Sequence, residues 1–225
     1  MGDGIDPVVS DSTLGGLGGK IPAQAWHALL ANGMPRRYVK GEMLVRQGES
    51  GGHVLVVNYG LVKVTRLEFD GHEMVLSVRG RGEIIGEATY LGDQARSATV
   101  TAMRVCVTYI VPHLTFRRIV EEFGLSDLVL RHLTDRLRES EEMRSELASL
   151  PPRGRVARLL LRFSHGDELA LAQTDLARAV GLSRSAVAIE LAWLRDHGLV
   201  ATGRGRVTIT DRLRLLRLAT DLAAG

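Results

Sequence analysis

"KGEMLVRQGESGGHVLVVNYGLVKVTRLEFDGHEMVLSVRGRGEIIGE", residues 40–87, decides the fold. Short apolar runs alternate with turn signals, and Gly41, Gly48, Gly51-Gly52, Gly60, Asp70-Gly71 and Gly80/Gly82 interrupt them every several residues. "FDGHEMV" reads as a hairpin, because Asp-Gly accepts the positive φ that a tight turn needs. "LVKVTRL" alternates with period two. Short strands so evenly spaced predict a small antiparallel barrel or jelly roll between Met34 and Val111.

Working outward, Pro22 to Asn32 reads as a short helix with Pro in its first turn and Gly33 just beyond it. At Pro112 the period becomes helical. Leu114 to Gly124 is one helix. Ser126-Asp127 starts a long one running to about Leu147, with a seam of Leu130, Leu133, Leu137, position 140, position 144 and Leu147. That stripe resembles a coiled coil, broken by Ser140 and Arg144, and its densely charged flanks make it a candidate dimerisation helix. Pro151-Pro152 ends it and marks a domain boundary. Beyond lie a helix ("RGRVARLLLRFS"), two helices around a Gly turn ("TDLARAVGLSRSAVAIELAWLRDHGLV"), a hairpin ("LVATGRGRVTITD") and a closing helix capped by Asp211. The expected organisation is a disordered tail over 1–20, a barrel over 21–112, helices over 113–150 and a winged helix–turn–helix over 151–225. The fold class is α+β.

Composition narrows the function classes. The chain has 225 residues, 45% hydrophobic and 24% charged, an ordinary globular balance with room for two domains. No apolar run approaches a membrane span, and the first twenty residues lack the basic start and apolar core of a signal peptide, so a cytoplasmic protein is expected. A single Cys, Cys106, excludes an internal disulfide and a four-Cys metal or iron–sulfur site. "GGLGGK" (Gly15 to Lys20) fails as a phosphate loop, since Leu14 stands where the first Gly is required and Ile21 follows the Lys. No catalytic constellation and no metal-ligand cluster is visible, so no enzyme and no metal are expected. Charge is uneven. Residues 151–225 hold twelve Arg against seven Asp or Glu, whereas residues 1–150 hold seventeen basic and nineteen acidic residues. A basic C-terminal third suggests a polyanionic partner.

Two constellations carry function. In the first, Leu176, Ala177 and Val180 face a core, Gly181 turns the chain, Leu182 plugs the turn and Ser183 caps a second helix whose Ala186, Val187, Leu191 and Leu194 point inward. Thr174, or the residues just before it, caps the first helix. Arg184, Ser185, Ala188 and Ile189 are left on the outward face that would enter a DNA major groove. Arg184 suits guanine or a phosphate, Ile189 a thymine methyl, and Arg204 and Arg206 at a wing tip suit backbone phosphates. The second constellation is "GEATYLGDQARSA", Gly86 to Ala98. Small residues (Gly86, Ala88, Ser97, Ala98) let backbone amides approach an anion. Arg96 supplies a planar fork for phosphate, and Glu87 an acceptor that suits ribose hydroxyls. An exposed ion pair in a turn is the plainer reading of the same two charges.

"IIGEATYLGDQARSATVTA" resembles the phosphate-binding cassette of cyclic-nucleotide-binding domains. With "KGEMLVRQGE", "YGLVKVTR", "RGRVARLLL" and "DLARAVGLSRSAVAIEL", the order barrel, cassette, long helix, double Pro and winged helix–turn–helix resembles the Crp/Fnr family of bacterial transcription regulators over about residues 22 to 212. The resemblance implies a homodimer that binds palindromic double-stranded DNA, works with RNA polymerase, and is controlled by cAMP or cGMP, with cAMP favoured on family frequency. It implies that Glu87 meets the ribose 2′-hydroxyl and Arg96 the cyclic phosphate, with Gly86, Ala88 and Ser97 supplying amides or a hydroxyl. Ser140 and Glu141 stand where hydroxyl residues of the dimer helix touch the base. Ser140 fits that pattern and Glu141 departs from it. The DNA-reading helix departs as well: Arg184, Ser185 and Ile189 stand where readers of TGTGA-like half-sites carry Arg, Glu and Arg, which implies a different half-site. A ligand-independent regulator with a vestigial pocket is the competing expectation.

Overall fold

The computed structural model describes residues 14–92 and 94–224. After helix α1 (Ala23–Ala31) the chain forms strands β1 (Met34–Tyr38), β2 (Met43–Val45), β3 (His53–Tyr59), β4 (Val62–Leu67), β5 (Glu73–Arg79) and β6 (Ile84–Ile85). A 3₁₀ turn, Glu87–Leu91, then leads to β7 (Thr99–Ala102) and β8 (Cys106–Pro112). These strands form two four-stranded sheets, in the orders β1-β8-β3-β6 and β2-β7-β4-β5. Strands β1 and β8, β2 and β7, β3 and β6, and β3 and β8 pair antiparallel; β3 runs against β8 with Leu55 opposite Ile110 and Val56 opposite Tyr109. The Asp70-Gly71 turn forms where the sequence predicts it. Gly71 has φ +82°, and the Glu68 amide donates to the His72 carbonyl at 2.9 Å.

Helices α2 (His113–Glu122) and α3 (Ser126–Ser149) follow, and then α4 (Pro152–Phe163), the two-residue strand β9 (Glu168–Leu169), α5 (Gln173–Val180), α6 (Arg184–Asp196), β10 (Val200–Gly203), β11 (Arg206–Ile209) and α7 (Arg212–Ala224). Strands β10, β11 and β9 form a small sheet in that order, which is the wing. The chain divides into two compact units. One holds the residues up to Val62 together with Arg79–Thr134; the other holds Lys63–Val78 and everything from Asp135 onward.

In the first unit, Trp26 and Leu29 of α1, Val54 and Val56 of β3, Ile84 of β6, Val111 of β8, Phe116, Ile119 and Val120 of α2, and Val129 of α3 make one buried cluster. Burying side chains of this size removes apolar area from water and contributes roughly 1.5–3 kcal/mol each. The expected tail over 1–20 is corrected for its described part. Leu17 is 1% exposed within this cluster. The Gly15 amide donates to the Arg81 carbonyl at 2.9 Å, and the Gly18 amide to that of Gly82 at 2.7 Å. A Cβ on Gly18 would lie 2.5 Å from the Gly82 carbonyl oxygen. The glycines let the backbone press onto the barrel, and one leucine anchors it. The rest of the tail, residues 1–13, lies outside the described residues.

In the second unit, Val156, Leu160 and Phe163 of α4, Leu176 and Val180 of α5, Val187, Leu191 and Leu194 of α6, and Leu215 and Ala219 of α7 are buried. The bidentate fork of Arg162 on Glu146, at 2.8 and 2.9 Å, fixes the end of α3 against α4. Within the same unit Lys63 of β4 pairs with Asp175 of α5 at 2.9 Å, and Arg178 of α5 pairs with Glu73 of β5. Along α3 the seam is incomplete. Leu130 and Leu137 are 42% and 59% exposed, while Met143, one residue before the expected position 144, is buried.

Leu17→Ala is expected to destabilise the chain by about 2–5 kcal/mol, the range for deleting a buried leucine side chain. Urea unfolding checks this, and an unchanged midpoint would show that the glycine segment is not docked in solution.

Candidate functional site

The cassette is built by turns that only glycine fits. Gly86, which has φ +85°, follows the end of strand β6, and the 3₁₀ turn begins at the next residue, Glu87. A Cβ on Gly86 would stand 1.9 Å from Nη1 of Arg96. The Arg96 backbone is clamped on both sides: its amide donates to the Glu49 carbonyl and its carbonyl accepts from the Gly48 amide, both at 2.8 Å. Gly51 packs so closely that a Cβ there would lie 2.4 Å from the Gln94 carbonyl oxygen.

This clamp drives the Arg96 side chain inward, to 7% exposure. Its Nη2 donates to the His53 carbonyl at 2.6 Å, while Nε and Nη1 are buried without a hydrogen-bond partner among the described residues. Burial pulls the guanidinium pKa down, and the nearby Glu87 and Glu49 oppose that. Donors on a buried charged group that go unmatched cost on the order of 1–3 kcal/mol or more. An oxyanion placed against this edge supplies the missing acceptors in the geometry a guanidinium prefers. The residues therefore fit a phosphate group.

Glu87 is buried as well, at 6% exposure. Arg79 Nη1 approaches its Oε1 at 3.6 Å, and His132 Nε2 of α3 approaches the same oxygen at 3.9 Å. The two charges named from the sequence, Glu87 and Arg96, are thus brought together inside the barrel unit, which rules out the exposed ion pair in a turn. Ala88 and Ser97 are exposed on either side. Ser140 and Glu141 lie further along α3, in the second unit, half-buried and exposed respectively. Sequence reading missed Arg79 and His132. Arg79 sits in an ordinary period-two run and His132 in an ordinary helical one, so no local signal marks either.

The second constellation is a helix–turn–helix. Gly181, at φ +62°, ends α5, and the Leu182 amide closes the turn on the Ala177 carbonyl at 3.0 Å. Ser183 Oγ accepts from the Ala186 amide at 3.1 Å, an N-cap for α6. The Ser183 and Ser185 hydroxyls also meet each other at 2.9 Å, so Ser185 is engaged at the cap. Arg184 and Ile189 are exposed on the outer face, Ile189 at 65%, with Ala188 half-buried between them. Thr174 is exposed inside α5 and is not its cap, which is Ala172 and makes no side-chain bond. Arg204 stands at the wing turn, where Gly205 has φ +70°, and Arg206 begins β11; both are exposed. Among the described residues no cluster of His, Cys, Asp or Glu could hold a metal ion, and no helix is long and apolar enough to cross a membrane.

A barrel with a phosphate cradle in the same chain as a winged helix–turn–helix defines a DNA-binding regulator of transcription. Residues 35–123 match the cyclic nucleotide-binding domain family and residues 154–218 the Crp-like helix-turn-helix domain family, together more than half of the chain. The chain is 28% identical over 192 residues to the cyclic AMP receptor protein of Thermus thermophilus, covering 84% of this chain and 89% of that one. It is 27% identical over 210 residues to the CRP-like cAMP-activated global transcriptional regulator of Mycobacterium tuberculosis, covering 88% and 94%. The c-di-GMP responsive global regulator CLP of Xanthomonas campestris superposes with a TM-score of 0.67 at 25% identity, over 84% of this chain and all of that one. The chain belongs to the Crp/Fnr family of transcriptional regulators.

His53 reports on this site. Burial first, and Arg96 second, hold its imidazole pKa below the ordinary histidine value, with Glu49 opposing. Its contribution to stability is therefore complete above the ordinary value and declines as pH falls below it. Arg96→Ala is expected to move the His53 pKa upward, as is an oxyanion seated on Arg96. Ring titration by NMR reads both, and a His53 curve indifferent to both would show that the guanidinium does not lie where described.

Proposed function

We propose that this regulator is a homodimer whose DNA binding is set by a cyclic nucleotide, with cAMP the favoured ligand. The observation that carries this reading is the buried Arg96 fork, with Nε and Nη1 unmatched beside Glu87 in a cradle shaped by Gly86. Arg96 takes the cyclic phosphate and Glu87 accepts from the ribose 2′-hydroxyl. Gly86, Ala88 and Ser97 contribute amides or a hydroxyl, and Ser140 and Glu141 of α3 read the base. Two of the relatives above are named for cAMP, which favours that ligand; another is named for c-di-GMP, so it belongs among the ligands to be tried. Support for the dimer comes from α3, whose Leu130 and Leu137 stay exposed between charged flanks. When bound, the nucleotide supplies the negative charge that Arg96 lacks. The ligand can alter DNA binding only by preferring one dimer geometry over another.

At the DNA end, Arg184 reads a guanine, Ile189 meets a thymine methyl, Ser183, Ser185, Ala188 and Thr174 line the contact, and Arg204 and Arg206 hold phosphates. With Ser185 and Ile189 in place of Glu and Arg, the site is palindromic with a half-site unlike TGTGA. RNA polymerase is the further partner, the cytoplasm the setting, and binding without catalysis the whole of the activity. One observation favours a second reading, a ligand-independent regulator: Glu87 already has Arg79 as a counter-charge within the protein, joined by His132 when its imidazole is protonated.

Calorimetry with cAMP, cGMP and c-di-GMP separates the two readings. Binding of cAMP that Arg96→Ala weakens about a hundredfold or more supports nucleotide control, since several charge-assisted hydrogen bonds are lost together. Silence toward all three leaves the ligand-independent reading, and hydrolysis of any of them would refute binding without catalysis. On a selected DNA site, Arg184→Ala is expected to lose about 1–3 kcal/mol and to relax one base position. Arg204→Ala is expected instead to weaken binding evenly across sequences and to lower the salt slope by about one. Strong enrichment of TGTGA-type sites in a selection would contradict the half-site assignment.

A further inference from the structure

Helix α3 grips the cassette by two polar contacts that the nucleotide reading leaves unused. Tyr90 of the 3₁₀ turn donates its hydroxyl proton to Ser126 Oγ at 2.8 Å, and His132 brings Nε2 to 3.9 Å from Glu87 Oε1. Ser126, Val129 and His132 follow one another at three-residue spacing, so they share one side of α3. Val129 lies in the barrel unit's core at 1% exposure, and His132 is 4% exposed. A buried imidazole is uncommon without polar company, and here Nε2 stands 3.9 Å from an oxygen of the carboxylate assigned to the ligand's sugar, beyond hydrogen-bond reach but within ion-pair reach when the ring is protonated.

The geometry at Glu87 gives the imidazole a task. Arg79 and His132 both approach Oε1. A carboxylate has two oxygens with about four acceptor positions in all, so Arg79, and His132 when protonated, gathered at Oε1 orient the group and leave Oε2 to accept from a hydroxyl. Arg79 reaches Glu87 from the barrel sheet, whereas His132 reaches it from α3. A change at Glu87 is therefore felt on α3 through His132 and, one turn of the cassette further on, through Tyr90 and Ser126.

We propose that His132 is a positioning residue: it orients Glu87 toward the ribose 2′-hydroxyl and passes occupancy of the cassette into α3. This rests on the nucleotide reading above. The test compares full-length wild type with His132→Gln, which keeps an N–H donor near the Nε2 position, and His132→Leu, which removes it at similar volume. Calorimetry measures the preference for cAMP over 2′-deoxy-cAMP, and DNA titration the response to cAMP. In wild type and His132→Gln the preference is expected to be about tenfold or more, the range for a hydrogen bond to a charged group. In His132→Leu it is expected to fall to within about threefold, with a weakened DNA response. Should His132→Leu fail to fold, the wild-type His132 ring resonances decide alone: they shift on adding cAMP if the proposal holds and stay in place if it does not. A folded His132→Leu with unchanged preference and unchanged DNA response overturns the proposal while the nucleotide reading stands. Wild type that binds no cyclic nucleotide overturns both.

Discussion

The barrel unit is organised around one expensive feature, a guanidinium held inside it. Burying a charge is strongly unfavourable unless it is paired and hydrogen-bonded, and Arg96 has a single hydrogen bond from its side chain, to the His53 carbonyl. Backbone geometry keeps it there. The chain passes Arg96 between two amide–carbonyl bonds to the 48–49 turn, which fix the backbone from which the side chain projects. Gly86 then has two independent reasons to be glycine: its φ lies in the left-handed region, and a methyl group would occupy the space of Nη1. Structure that tolerates such a residue without completing its bonds is preorganised for an anion, because the desolvation has been met before the ligand arrives.

Charge around the cassette is divided accordingly. Glu87 is offset by Arg79, and by His132 whenever the imidazole is protonated, while Arg96 has no ion-pair partner within 4 Å among the described residues. Two charges of opposite sign sit in one interior, one largely neutralised and the other not. A ligand that presents a hydroxyl to the first and a phosphate to the second meets both, and a simple carboxylate or phosphate meets only the second. That asymmetry argues for a sugar phosphate more strongly than the presence of Glu and Arg in one segment does.

What could be read from the sequence followed local rules. Asp70-Gly71 specified its hairpin through backbone sterics, Ser183 its cap through one hydroxyl, and Gly181 its turn through φ. The helix–turn–helix was legible because its core positions recur at helical spacing. Two things were not legible, for one shared reason. The Leu14–Lys20 segment has the composition of a tail, and its order comes from the carbonyl of Gly82, more than sixty residues away in sequence, and from the burial of Leu17 in a cluster that the barrel strands and helices assemble. Arg79 and His132 converge on Glu87 from a strand and a helix, and neither side chain carries a local mark of that contact. Composition and periodicity report what a residue does to its neighbours in the chain; they are silent on what the fold brings to it.

The DNA-reading face bears on why two copies would be needed. Arg184 is the only basic residue in the first two turns of α6, Ser185 is tied to Ser183, and Ile189 offers an exposed branched side chain that suits a methyl group and little else. One bidentate pair discriminates by about 1–3 kcal/mol, and an apolar contact adds less. Specific recognition in a genome takes roughly 4–10 kcal/mol over non-specific binding. A single helix with this surface falls short of that range, and the wing arginines do not make up the difference, because phosphate contacts favour all sequences alike. Two helices on a palindrome double the discriminating part, provided both are presented at the half-site spacing. A reading face this sparse makes correct presentation the controlling quantity, and in the proposed dimer presentation is what a bound ligand would change.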